Sequence, residues 1–353
     1  MSLARAIEIG DLAELPSRRD EDWRWSDLRA LIRELPAKSR AYAGAPAPGL
    51  FEHLAQTKIA IMNGRLPEPV PRPGVSGVLA LRIIAQGDGA HAAHLGPIDV
   101  GGARLVLLET YEGDGDHVSE LDLSFVVGAG GSLERIVLCD EPAGAVSVSH
   151  AEVSLAPGAR FSQTVIAAGA KRQRIETRVS HPGGGAAVRL DGLYLVGGRR
   201  HADLTTVVTH PGIGGITDQL AKGVVSDQGR GVFQGRIIVA AGADRTDARM
   251  GHHALVLSDR AEVDAKPELE IFADDVACAH ANTVGALDED ALFYAAQRGI
   301  PEPQARSLLT QAFVGEVIDR IEHAGAREII RAWVAERLLP SSRAGEGAGG
   351  TDG

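Results

Sequence analysis

From Arg104 onward the chain sets apolar and polar residues in short alternating runs, each closed by a corner rich in Gly or Asp. The runs RLVLLETY, LDLSFVVGAGG, LERIVLCD, VSVSHAEVSLAPG and FSQTVIAAG lead on to AAVRLDGLYLVGG, ADLTTVVTHPGIGG, GRIIVAAGA and HHALVLSD. Alternation at a period of two predicts strands, and none of the intervals between them holds a helix. The corners recur as well: Gly130, Gly158, Gly185, Gly214 and Gly242 follow one another at steps of 28, 27, 29 and 28 residues. His-Pro-Gly occurs at His181 and again at His210. A repeat of this length, holding two strands and two turns, predicts stacked coils that bury their inward side chains on one another, a β-solenoid. A β-sandwich is the competing architecture. His181 and His210 read as corner residues rather than as a site.

On either side the pattern changes. Near the N-terminus Trp23, Trp25, Leu28, Leu31, Ile32 and Leu35 fall at spacings compatible with one face of a helix that Pro36 ends. AGAPAPG, residues 43–49, reads as a spacer, and KIAIMNGR, residues 58–65, as a short strand entering an Asn-Gly turn. Pro67, Pro69, Pro71 and Pro73 then forbid a regular ladder. After Gly285 the period becomes helical: Asp288 is placed to cap a helix that stops at Gly299, a second follows Pro301 and Pro303, and a third runs from Arg327 to Leu339. The expected organisation is a helical and irregular domain at 1–98, a β-helix core at 99–285, a helical domain at 286–340 and a disordered tail at 341–353.

Composition narrows the function. A net charge of -11 argues against a protein that binds nucleic acid through its backbone phosphates. The two cysteines, Cys139 and Cys278, lie far apart and in no metal-finger spacing, which suits a reducing, cytoplasmic setting. No apolar run has the length of a signal or of a membrane span, so no membrane partner is expected. None of the lysines follows a glycine, so the chain carries no P-loop and no ATP site of its own. Dinucleotide fingerprints and Gly-x-Ser-x-Gly elbows are missing too.

The stretch with most chemical content is VDAKPELEIFADDVACAHANTVG, residues 263–285. Read as one extended chain, it turns Leu269, Ile271, Ala273, Ala277 and Ala279 inward and presents Glu268, Glu270, Asp274, Cys278 and His280 outward. Cys278 and His280 stand two apart, so thiol and imidazole point the same way, a pair that soft or borderline metals accept. Two ligands do not complete a site, and the others must come from elsewhere in the chain or from another subunit. Cysteine also serves as a small hydrophobe, so a purely structural pair stays open. Adjacent His252 and His253 face opposite ways on a strand. Glu268 and Glu270 allow a second reading, acid/base work on polysaccharide, which the 4% aromatic content disfavours. A structural adaptor is the third.

The run from Val232 to Ile300 resembles the SufB/SufD family of iron-sulfur cluster assembly proteins, on its SufD side. The resemblance is carried by Phe233-Gln234-Gly235, Leu257-Ser258-Asp259, Asp264 to Ile271, Ala273 to Val276, Thr283-Val284-Gly285 and Leu287-Asp288-Glu289, with Glu21-Asp22-Trp23 near the N-terminus. The sequence departs from the family's pattern at Ala281-Asn282 and at Gly251-His252-His253. The resemblance implies a right-handed parallel β-helix flanked by N- and C-terminal helical domains. It further implies a non-catalytic scaffold subunit of the SufBCD complex, whose β-helix pairs with SufB and whose C-terminal helices dock the SufC ATPase. A homodimer is the expected alternative when the chain is isolated. Cys278 and His280 would then lie near the SufB interface, as ligands to iron or to a transient iron-sulfur cluster shared with SufB.

Overall fold

The computed structural model describes residues 2–67 and 76–339. Pro69, Pro71, Pro73 and the expected tail at 341–353 lie outside the described residues. Among the described residues sixteen strands, numbered β1 to β16 in chain order, build two parallel sheets. The first holds β1 (Thr57–Met62), β2 (Gly77–Ala85), β4 (Arg104–Gly113), β6 (Ser132–Cys139), β8 (Arg160–Ala167), β10 (Ala187–Val196), β12 (Ile216–Val225), β14 (Thr246–Val256) and β16 (Val276–Gly285). The second holds β3 (Ala90–Gly101), β5 (Val118–Val127), β7 (Val146–Leu155), β9 (Arg172–Ser180), β11 (His201–His210), β13 (Arg230–Val239) and β15 (Glu262–Ile271). From β2 onward the chain crosses from one sheet to the other at every corner, so each coil donates one strand to each sheet, while β1 lies beside β2 in the first. This is the expected solenoid and not a sandwich. All five counted glycines have φ between 72° and 79°, a left-handed backbone that a Cβ would strain, and this is why glycine marks the corners.

Coils stack in register, so side chains form rows across the sheet. One inward row runs Leu133, Phe161, Val188, Thr217, Ala248, Cys278, and its neighbour Arg135, Gln163, Leu190, Gln219, Met250, His280. Between the sheets the apolar members of these rows join one continuous core, with Arg135, Gln163, Thr217 and Gln219 buried among them. Tyr194 lies across this interior, and a Cβ on Gly223 would stand 2.0 Å from its ring, so the ring fits because that position has no side chain.

The outer faces are covered by the two ends of the chain. α1 (Leu3–Ile9) packs with Leu15, Leu28 and Ile32 on Val118, Val146 and Val148 of the second sheet. The expected continuous helix over 23–35 is not formed. A 3-10 turn at Glu21–Trp23 and a single helical turn, α2 (Leu28–Leu31), replace it. The reason is tertiary: the segment lies flat on polar side chains of the sheet, with Arg174 stacked 4.4 Å from the Trp23 ring centroid and Ser26 Oγ donating to Asp203 at 2.5 Å. The other end behaves as read. Asp288 caps α3 (Glu289–Gln297), Gly299 takes φ 78°, and α4 (Glu302–Asp319) and α5 (Ala324–Leu338) follow. Val314, Val317, Ile330 and Val334 then bury against Ile136, Ile166 and Leu193 on the outer face of the first sheet. No described helix is long and apolar enough to cross a membrane.

The ladder begins earlier than the boundary expected at 98/99. β1, β2 and β3 already pair in parallel with the strands that follow. The first coils hide from a period count because β3 breaks its register between Leu95 and Ile98, around Pro97, which interrupts the alternation.

Candidate functional site at the open end of the solenoid

β15 and β16 are the last strands of their sheets, and each pairs on one side only. The final coil therefore offers two unpaired edges together with the uncovered ends of the inward rows. Cys278 lies opposite Ala248, and His280 opposite Met250, both buried core residues. This corrects the expected outward facing of the pair. Glu268 and Glu270 do face outward on β15, but residues 272–275 form a corner, and β16 starts again in the other phase. Ala277 and Ala279 take the outer face, while Val276, Cys278, His280 and Asn282 continue the inner one. Cys278 is half-buried against the core and His280 exposed because no further coil lies over them.

The two side chains are on the same face, with backbones roughly 6.6 Å apart along the strand. Burial, with a contribution from the Asp247 carboxylate, pushes the Cys278 thiol above its ordinary pKa, so it is protonated at neutral pH and becomes a thiolate only when something binds it. Cys139, fully buried in the core, is held as a thiol more strongly by the same cause.

A polar chain that the sequence reading missed leads to this end from inside. Tyr194 donates its hydroxyl to His252 Nε2 at 2.9 Å, and His252 Nδ1–H donates to Asn282 Oδ1 at 2.7 Å. Burial lowers the His252 pKa to about 4, so its ring is neutral and this tautomer uses both nitrogens. Phe233 stacks on the ring at 4.7 Å, nearly parallel. His252 and Asn282 stand one coil apart, so aligning the sequence on its repeat would have paired them. His253 points the other way, to Thr283 Oγ1, as expected for neighbours on a strand.

The remaining candidates are structural. His181 and His210 are buried and stacked at 4.4 Å in a corner, His210 against Thr217 Oγ1. Glu268 bonds Arg236 and Lys266, and Glu270 reaches Arg236 at 3.4 Å. Arg236 also holds Asp22. The two acids thus fasten the N-terminal segment to the sheet, an arrangement that leaves neither as a free general acid. On the last two strands and the corner between them, Ile271, Phe272 and Val284 are exposed, Phe272 by 64%. Apolar side chains collected at an unpaired edge mark a surface built for contact.

Comparison with known proteins agrees with this architecture. Residues 85–313, more than half of the chain, match the family model described as SUF system FeS cluster assembly, SufBD core domain. The iron-sulfur cluster assembly protein SufD of Escherichia coli is 32% identical over 307 residues, covering 83% of this chain and 70% of that protein. An iron-sulfur cluster assembly SufBD family protein of Mycobacterium tuberculosis is 27% identical, covering 93% of this chain and 90% of its own length. A Synechocystis member of the same family is 35% identical over 173 residues, 48% of this chain and 38% of that protein. With the matched region running from the end of β2 into α4, the chain belongs to the SufB/SufD family of iron-sulfur cluster assembly proteins and is SufD-like.

Proposed function

We propose that this protein takes part in iron-sulfur cluster assembly as a non-catalytic scaffold subunit, and that its open end is half of a shared assembly site. The observation that carries this reading is the position of Cys278 and His280 at the uncovered ends of two inward rows, on the last strand of a parallel ladder. A SufB-type partner laid on that edge would close the rows, bring the missing ligands and exclude water. Cys278 supplies a thiol that releases its proton to solvent as its sulfur binds iron, and His280 supplies an imidazole lone pair. His252, fixed between Tyr194 and Asn282, holds the floor of the site in one conformation. The cluster is cargo that leaves with the product, which suits a site of two weakly held ligands better than a closed one. The ATPase of the complex, a SufC-type subunit, would dock on the C-terminal helices, where Leu308 of α4 and Phe293 and Tyr294 of α3 remain exposed.

The test is reconstitution with the partner subunits. His280→Ala should lower cluster yield at least severalfold, read from cluster absorbance, while the complex still forms and the variant melts as the parent does. Cys278→Ser should have a smaller effect. Full cluster yield from His280→Ala would refute the assignment of this site.

A further inference from the structure

A second group of potential ligands lies away from the open end. Glu120 and Asp122, two apart on β5, share the outer face of the second sheet, and the next coil sets His150 of β7 opposite Asp122 in register. One donor atom from each falls within 4.8 Å of the other two, the one such trio of His, Cys or acidic side chains among the described residues.

Three observations separate this cluster from an ordinary ion pair. Glu120 is only 3% exposed, yet among the described residues no Lys or Arg pairs with it; its carboxylate accepts the backbone N–H of Ala4 at 2.6 Å. His150 lacks good partners: Nδ1 lies 3.5 Å from Asp122 Oδ1, too far for a good hydrogen bond, and Nε2 is buried with none. Finally, Asp122 lies on the wall of a cleft of about 640 Å³ beneath α1, bordered by Glu8 and His94 and also by the cations Arg5, Lys38 and Arg65; Arg5 is paired with Glu8 and Arg65 is turned to the carbonyls of Ser39 and Arg40, so the cleft gives an ion a way in past Glu8 and His94. His94 is the register neighbour of Asp122 on the preceding coil. The nearby guanidinium of Arg174 is held by Glu176 and Asp203, and that of Arg178 by Glu176, so their charge is already balanced.

We propose that Glu120, Asp122 and His150 form a binding site for a divalent first-row transition ion of borderline hardness, with Zn²⁺ the best match, separate from the open end. Two carboxylates and one imidazole fit such an ion better than Ca²⁺ or Mg²⁺, which prefer all-oxygen shells, or Cu⁺, which prefers sulfur. Three protein ligands leave a fourth position for water or for His94. Because Glu120 also holds the first turn of α1, the bound ion would pin the N-terminal segment to the solenoid.

The experiment uses the full chain carrying Cys278→Ser and His280→Ala, so that the open end contributes no ligands. Zn²⁺ is titrated calorimetrically into this parent and into the same protein with Glu120→Gln or His150→Ala added. The expected result is one equivalent bound by the parent, weakened at least tenfold by either change, with a Zn²⁺-dependent rise in melting temperature that both changes remove. Far-UV circular dichroism checks folding, and His150→Asn replaces His150→Ala if the latter does not fold. Absence of one-to-one binding in the parent, or binding of equal affinity in the Glu120 and His150 variants, overturns the proposal.

Discussion

Arg135 has no exposed surface, and its guanidinium grips Glu109 through two bonds of 2.8 Å while reaching Gln163 at 2.7 Å inside the solenoid. A charge in such a place is tolerated only with its partner. Arg135→Met should therefore cost roughly 3–5 kcal/mol in denaturant unfolding, because it strands the Glu109 carboxylate, and adding Glu109→Leu should restore much of the loss. His210 makes a different prediction. Burial first, then the neighbouring His181, lowers its pKa from 6.5 to about 3. The folded state thus resists a proton that the unfolded chain accepts, so stability falls as pH drops from 6.5 towards 3. Buried Asp191 and Glu120, each with a pKa raised to about 7, act in the opposite sense, so the parent's total slope is a balance. His210→Gln should make the acid-side slope shallower by up to about 1.4 kcal/mol per pH unit, measured as unfolding free energy against pH. An unchanged slope would mean that His210 does not titrate on unfolding. At this scale the sequence named Cys278 and His280 but misjudged which way they face, since a four-residue corner resets the alternation and no local pattern announces that reset.

Elements were legible where their stability is local and hidden where it is tertiary. The helices after Gly285 carry their own caps and apolar spacing, and the strands after Arg104 carry alternation and left-handed glycines. The N-terminal segment has neither guide: its conformation is dictated by Trp23 under Arg174 and by Asp22 near Arg236, partners more than a hundred residues away. The C-terminal helices are held chiefly by burial on the first sheet, and Ile330 of α5 is fully buried there. Ile330→Ala should destabilise α5 by roughly 2–5 kcal/mol. Limited proteolysis should then cut near α5 well before the solenoid, whereas simultaneous digestion of both would show that they unfold as one unit.

On the scale of the molecule, both broad faces are covered by the chain itself and the last coil is not. An uncovered parallel edge flanked by Val284, Ile271 and Phe272 should recruit a second copy when no other partner is present. Analytical ultracentrifugation of the isolated chain is expected to show a concentration-dependent dimer, and Val284→Lys should shift it at least tenfold towards monomer. Persistence of an unaltered dimer in that variant would place self-association elsewhere.

The in-register ladder also fixes a length. At ~4.8 Å per strand, the nine strands of the first sheet set β1 and β16 roughly 38 Å apart, without a hinge between them. The solenoid is therefore a gauge: adding one whole coil would carry the Cys278–His280 end one strand spacing further from the first strand and leave both termini chemically intact. The reach of the open end is thus set in advance, and it is counted in coils.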